Sequence, residues 1–439
     1  MNKQTLGLII PTCSDLNRGD QALTIETMNV MKKSLGIENV YMMSNNETNQ
    51  CEQLGLKQFS CILKHPSRLA KKTSNLKYNM SLNIKWGIIA IGDLIRAQFI
   101  KNNITRKFMK IFIDKQTKDA LELYEKADVV FVKGGGFLHD YSGGLIGAYT
   151  MYYQLYHIKL ALKMNKKVYI MPNSFGPFKS KRIVNYLNKT LDKCAYITAR
   201  ESISANKETN GLNRNIDLYP DLGFFLKMEN KETIKQYLKK EYNLDFEQKK
   251  YVGITVRPYR FYNSENPEER YENYKYCFVK IIDYLNEIGY TPILVVHTRA
   301  ENTHENDEAC INEIAGSISD KNKFIIIKDD NLNCKQLKTI YSFCDFIIGT
   351  RFHSVIFSIE NRIPCIAITY GGNKGDGIMR DMGLEKYAIK ISELEYEILK
   401  EKVIMLKNNE NFIKEKINEY LKYAYERYNE LINKIKGDN

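Results

Sequence analysis

Two arginines and a histidine stand where apolar runs end. Gly253-Ile254-Thr255-Val256-Arg257-Pro258 brings Arg257 out at the end of one run, and Gly349-Thr350-Arg351-Phe352-His353-Ser354 follows the run Phe346–Ile348. A guanidinium is a planar fork that matches a carboxylate or phosphate bidentately. An imidazole titrates near neutrality and serves as general acid or base. Two residues apart, Arg351 and His353 are expected to point the same way from an extended or turning segment. Either arginine alone is an ordinary surface residue. Together with His353, at strand ends of one half of the chain, they predict an anion site. Lys374, in Tyr370-Gly371-Gly372-Asn373-Lys374, is a further candidate anion contact.

Two more motifs lie in the first half. In Asn17-Arg18-Gly19-Asp20-Gln21-Ala22, Gly19 permits a tight turn. Asp20 is placed to cap the helix that follows, whose amides face any ligand beyond the strand. In Lys133-Gly134-Gly135-Gly136-Phe137-Leu138-His139-Asp140, three glycines let backbone approach a ligand and offer amides to an anion. Neither is a P-loop or a GxGxxG fingerprint. The plain alternatives are a helix cap and a glycine-rich crossover loop. His139 and Asp140 add acid–base capacity. The acidic run Glu301 to Glu308, with His297 and His304, lacks HExxH spacing, and no metal is expected there.

Parallel α/β elements must position these residues, because short apolar runs alternate with longer amphipathic stretches. Strands are predicted at 6–10, 40–43, 129–132, 168–171 and 196–198, then at 251–256, 291–296, 324–327, 346–348 and 365–368. Helices are predicted at 21–35, 145–164, 276–288 and 335–343. The reading is an α/β chain of two Rossmann-like domains facing across a cleft, with a C-terminal helical tail. The first domain spans residues 1–228 with a basic insertion at 57–118. A linker at 229–250, a second domain at 251–393 and the tail at 394–439 complete it. Ligands bind at the carboxyl ends of parallel strands, where the motifs lie.

The 439 residues carry 65 Lys+Arg against 52 Asp+Glu, and 44% are hydrophobic, which excludes a mostly disordered chain. Nine scattered cysteines with no CxxC pair fit reduced thiols, not a zinc ribbon or a disulfide framework. The apolar part of the N-terminus, Leu6 to Ile10, is too short for a signal peptide, and the run Trp86 to Ile91 is too short to span a bilayer. A cytoplasmic protein is expected, peripheral at the inner face of the plasma membrane. Net charge alone suggests nucleic acid, but no RNP, zinc-finger or helix-turn-helix pattern supports it, so no nucleic-acid partner is expected.

Taken together, the motifs resemble the polysaccharide pyruvyl transferase family. The matches are Asn17, Gly19, Asp20 and Ala22, then Gly134–Gly136 with Asp140. Arg200-Glu201-Ser202-Ile203-Ser204 and Pro220-Asp221 follow, then Arg351 with His353, and Pro364 with Tyr370. The resemblance runs from about residue 7 to about residue 385, and the segment 57–118 carries no family motif. It implies a GT-B-like fold and transfer of the pyruvyl group of phosphoenolpyruvate onto two sugar hydroxyls as a ketal, with no cofactor beyond that donor. By resemblance, Arg257 and Arg351 clamp phosphoenolpyruvate and His353 is the acid. Asp140 is the base, Asn17, Asp20 and the glycine loop shape the acceptor cleft, and Glu201 holds Arg200 in an ion pair. The acceptor is expected to be a polymeric or lipid-linked glycan. The alternatives are a glycosyltransferase using a nucleotide sugar and a non-catalytic glycan-binding relative.

Lys57–Lys118 holds 14 Lys+Arg and only Asp93 and Asp114 as acids, so +12 of the net +13 is local. It also carries the single tryptophan, among Leu94, Ile95, Phe99, Phe108 and Phe112. Basic residues interleaved with apolar ones predict a surface that meets anionic headgroups. The alternative is a solvated insertion whose apolar residues pack on the first domain.

Overall fold

The computed structural model describes residues 5–44, 48–66, 80–262, 264–300 and 305–438. Residues 67–79 of the basic insertion, and Glu301 and His304 of the acidic run, lie outside them.

The first half holds β1 (Leu6–Cys13), β2 (Asn39–Ser44), β3 (Lys57–Ser60), β4 (Val129–Val132), β5 (Gly135–Asp140), β6 (Lys167–Phe178), β7 (Tyr196–Ala199) and β8 (Asp217–Leu218). The second holds β9 (Lys250–Thr255), β10 (Tyr290–Val295), β11 (Ile325–Ile327), β12 (Phe346–Gly349), β13 (Cys365–Thr369) and β14 (Ala388–Lys390). The first sheet runs β3-β2-β1-β4-β6-β7-β8, with β5 paired to β6 off that path. The second runs β11-β10-β9-β12-β13-β14. Every pairing is parallel. The strand order reverses between β1 and β4, and again between β9 and β12. Those are the switch points where the carboxyl ends of parallel strands open a crevice. Each of the four motifs follows one of these four strands.

Apolar side chains alternate across the first sheet. Leu8, Ile10, Val130, Val132, Val168 and Ile170 face one core, and Ile9, Phe131, Tyr169 and Met171 face the other. The second core continues through Phe224 and Phe225 into the second half. α1 (Arg18–Leu35) covers this face of the first sheet. Asn17 is its N-cap and accepts from the amides of Gly19 and Asp20, while Gly36 closes it in the left-handed region at φ 65°. Asp20 is therefore not the cap: it stands in the first turn with its carboxylate free for another partner.

Two elements differ from the sequence expectation. The glycine loop is not a crossover loop, because Gly135–Asp140 forms β5 on the extended end of β6. The helical tail also returns to the first half. Its last helix places Ile413, Ile417, Tyr420, Leu421, Ala424, Tyr428, Leu431 and Ile435 inward at three- and four-residue spacing. The Tyr428 ring stacks on Phe225 at 4.1 Å, and Tyr169 Oη donates to Asp438 Oδ2 at 2.9 Å.

Candidate active site

The segment after β1 and the end of β6 meet segments that follow β10, β11 and β13. Arg299 N donates to Leu16 O at 2.9 Å, Arg18 Nε to Leu332 O at 2.6 Å, and Cys334 N to Gln21 Oε1 at 2.9 Å. On the other side Asn373 Nδ2 reaches Phe175 O at 2.8 Å. The cleft between these contacts holds two charged clusters.

The first surrounds His353. The helix after β12 begins at Phe352, so Arg351 is its N-cap and His353 lies in its first turn. The two side chains consequently diverge, contrary to the extended-segment expectation. His353 Nε2 lies 3.1 Å from Lys374 Nζ and 3.8 Å from Asp221 Oδ1. Its ring packs on the backbone of Gly19, where an added Cβ would sit 2.0 Å from Nδ1. Lys374 opens the helix Lys374–Asp381, and Asp221 Oδ2 is 3.8 Å from its Nζ. Asp221, fully buried, takes Arg200 Nη1 at 2.9 Å and the amide of Gly223 at 2.8 Å. Arg200 also donates to Ser174 Oγ at 2.8 Å, and a Cβ on Gly136 would stand 2.7 Å from its Nη2. Buried Lys133 pairs with Asp20 at 2.7 Å.

The expected Arg200–Glu201 pair does not form. Glu201 instead caps the short helix Ser202–Ala205, accepting from Ser204 N at 2.8 Å.

Burial, with Lys374 and Arg200 beside it, pushes the His353 pKa well below its ordinary value. That direction favours the neutral imidazole, which suits a base better than the acid foreseen. Burial and Arg200 bring Lys374 down to about 7, against the opposing pull of Asp221. A lysine titrating there is suited to proton transfer.

The second cluster surrounds Arg257 and Arg351. Arg351 is full. Its Nε donates to Asp307 Oδ1 at 2.8 Å, its Nη1 to Glu305 Oε2 at 3.1 Å and its Nη2 to Glu305 O at 2.9 Å. Asp307 is buried and also takes the amide of Thr298 at 2.8 Å. Arg257 is the opener of the pair. Its Nη2 holds Glu305 Oε1 at 2.8 Å and its guanidinium lies 4.2 Å over the Tyr370 ring, but its Nε has no hydrogen-bond partner among the described residues. Burial would raise the Glu305 carboxyl, yet Arg351 and Arg257 outweigh it and hold it below its ordinary value. A two-arginine clamp on an incoming anion is thus not the arrangement present. Glu305 already bridges both forks, and Arg351 anchors the loop that carries it.

Asp140 joins neither cluster. Its Oδ1 accepts from Gly143 N at 2.7 Å, and an added Cβ on Gly147 would meet that oxygen at 2.0 Å, so the carboxylate faces the start of helix Gly144–Lys163. Gly134 lies between Lys133 and β5, which Gly135 opens. Tyr141 crosses the cleft instead: an added Cβ on Gly372 would lie 2.3 Å from its hydroxyl.

The sequence reading gave no site role to Lys133, Arg200, Asp221, Glu305 or Asp307. Arg200 and Asp221 were visible as motif residues at the ends of β7 and β8, and Glu305 and Asp307 as members of the acidic run. Among the described residues, buried Cys13, Asp15 and Cys51 bring three potential metal-ligand atoms within 4.8 Å of one another. The nine cysteines are free.

Comparison with known proteins agrees with this architecture. The chain is 26% identical over 436 residues to the amylovoran biosynthesis protein AmsJ of Erwinia amylovora, covering 97% of this chain and 96% of that one. A UDP-GlcNAc 2-epimerase of Methanocaldococcus jannaschii superposes with a TM-score of 0.53 at 15% identity, over 95% of this chain and 99% of that one. One from Listeria monocytogenes gives 0.52 at 11%, over 95% and 91%. These likenesses carry the fold alone, which is GT-B-like. The family model described as polysaccharide pyruvyl transferase matches residues 17–372, from the N-cap of α1 to the glycine pair before Lys374. The chain is therefore an enzyme that belongs to the polysaccharide pyruvyl transferase family.

Proposed function

We propose that this enzyme moves the pyruvyl group of phosphoenolpyruvate onto two hydroxyls of a sugar, forming a ketal and releasing phosphate. The supporting observation is a buried lysine that titrates near neutrality, 3.1 Å from a neutral histidine. Such a pair is an acid and a base held together. Lys374 gives its proton to the methylene carbon, so C2 becomes electrophilic. Neutral His353 takes the proton of the first sugar hydroxyl as its oxygen bonds to C2. The C2–O bond to phosphate then breaks, the second hydroxyl oxygen adds to C2, and its proton leaves with the phosphate. The proton on His353 returns to Lys374, so the sequence balances without redox chemistry.

In this reading Lys374 replaces His353 as acid, and His353 replaces Asp140 as base. Arg257, stacked on Tyr370 with its Nε unpartnered, takes one anionic end of the donor as Glu305 gives way. The other end lies toward Lys374, whose carboxylate partner Asp221 stands only at 3.8 Å, because local positive charge stabilises a departing phosphate. Asn17, Asp20 and the backbone of Gly134–Gly136 border the acceptor side. The acceptor is a glycan that is polymeric or carried on a lipid.

The test is incubation with phosphoenolpyruvate and a panel of free and lipid-linked glycans, read by phosphate release and mass. Equimolar phosphate and a gain of pyruvate minus water support the proposal. Transfer from a sugar nucleotide, with phosphoenolpyruvate untouched, overturns it.

A further inference from the structure

An ordinary surface helix is apolar toward the protein and polar toward water. The helix Met80–Lys101 is apolar on both sides. Inward it presents Ala97 and Ile100, fully buried, with Asp93 paired to Arg96. Outward it presents Ile84, Ile88, Ile91, Ile95 and Phe99, between 47% and 68% exposed. Their spacing of four, three, four and four makes one stripe. The next helix, Asn103–Met109, and the turn after it extend the stripe with Ile104, Phe108, Ile111 and Phe112, the last 79% exposed. Singly exposed apolar residues need no explanation, but a contiguous stripe of this size does.

The helix that carries the stripe packs on one whose start borders the cleft. Helix Met80–Lys101 runs parallel to helix Gly144–Lys163, since Gln98 meets Tyr152 and Ala97 O accepts from Tyr156, while Lys101 lies beside Lys159 and Lys163. Asp93 acts on Tyr149. Leu145 and Ile146 are themselves 89% and 70% exposed. They stand at the end of that helix next to Asp140 and Tyr141, at the cleft mouth.

The flanking charge is positive. Lys85, Lys107, Lys115 and Lys118 are exposed around the stripe. At its far end a groove between the two helices is lined by Lys101, Lys159 and Arg182. Burial and the neighbouring Lys101, Lys193 and Lys163 bring Lys159 down to about 8, so cations crowd there. No helix among the described residues is long and apolar enough to cross a membrane. At ~1.5 Å per residue, a 22-residue helix is about 33 Å of rod able to lie flat.

We propose that this face docks on an anionic bilayer, with the isoleucine stripe in the acyl boundary, the lysines on lipid phosphates and the cleft mouth held at the surface. Docking stands independently of the reaction. That the docked cleft receives a lipid-borne acceptor rests on the function proposed above.

The test is co-sedimentation of the full chain with vesicles of phosphatidylglycerol and phosphatidylcholine, or phosphatidylcholine alone, at low and high salt. Expected are binding to the anionic vesicles only, weakening with salt, and at least a tenfold loss of partitioning in Ile88→Asp/Ile91→Asp. Phe108→Ser/Phe112→Ser should act in the same direction, and both variants should melt like the parent because these side chains are exposed. Trp86, the only tryptophan, should be quenched by brominated acyl chains. Turnover with a water-soluble acceptor should not change in either variant, so failure of the reaction and failure of docking are distinguishable. No vesicle binding, binding unaffected by both double variants, an unquenched Trp86, or a stripe that joins two copies of the chain in solution would each overturn the proposal.

Discussion

Replacing Lys374 with methionine separates the cost of the acid from its use. The side chain is 18% exposed, and its pKa stands near 7 against an ordinary 10.5. Between those values the unfolded chain holds a proton that the folded chain does not, so stability rises with pH across that window. Below pH 7 the folded chain is charged too, and the full cost of burying that charge is present. Linkage puts it at about 4 kcal/mol at pH 7, fading toward pH 10.5. Lys374→Met lacks the charge. Urea unfolding should therefore show the variant more stable by several kcal/mol at pH 6, with the two proteins converging near pH 10. Asp221 keeps Arg200 and the Gly223 amide, so the variant strands no carboxylate. Turnover with phosphoenolpyruvate should fall by about 10²–10⁴-fold. In the parent, kcat/KM should decline as pH rises through about 7, and kcat should decline at higher pH because the bound anion favours the protonated lysine. Equal stability slopes for the two proteins between pH 7 and 10, or near-parental turnover in the variant, would refute the reasoning.

Gly19→Ala should leave the fold intact but drive a methyl into the imidazole of His353, lowering kcat by about 10²-fold; steady-state kinetics beside an unchanged circular dichroism spectrum checks it. Glu305→Gln should lower KM for phosphoenolpyruvate with kcat unchanged, since the donor then displaces a neutral group from Arg257; a raised KM speaks against Glu305 as an occupant of the donor site. Asp221→Asn leaves Arg200 buried without its counter-charge and should cost about 3–5 kcal/mol in urea unfolding. It should also move the descending limb of kcat/KM to lower pH, because Asp221 supports the proton on Lys374.

Much of the frame was legible because strands buried on both faces are written as unbroken apolar runs. Val129–Val132, Phe346–Ile348 and Cys365–Ile368 are all strands, and the helices Arg18–Leu35 and Gly144–Lys163 fall where periodicity puts them, whereas Pro267–Glu287 starts before the expected 276 and Met80–Lys101 was not foreseen. What escaped lacked that signature. β3, Lys57–Ser60, is polar at three of its four positions and lies at a sheet edge, and β8 is two residues long. β5 hides in glycines, which disfavour a strand until a neighbouring edge pairs them. That charged residues gather at the strand ends was legible from residue types. The division of labour was not, because it depends on partners distant in sequence. Asp307 is 44 residues from Arg351, and Asp221 is 21 from Arg200.

Those partners decide which cations act. The motif arginines are equivalent as residue types, yet Arg351 meets two carboxylates and Arg200 one, each within hydrogen-bond distance. Lys133 likewise has Asp20. Such pairs hold loops in place and offer little net charge to a ligand. Lys374 has its carboxylate only at 3.8 Å, and Arg257 shares one that is already divided with Arg351. The unmet positive charge therefore sits at two points of one cleft, with Tyr370 stacked beside one and His353 beside the other. A donor with a carboxylate and a phosphate would present two anionic ends, one for each point. A donor with one anionic group engages one point and leaves the other empty. Inorganic phosphate and pyruvate should accordingly each inhibit weakly, and together more strongly than either predicts alone. Product-inhibition kinetics measures that, and strictly additive inhibition would show that the two points do not serve one ligand.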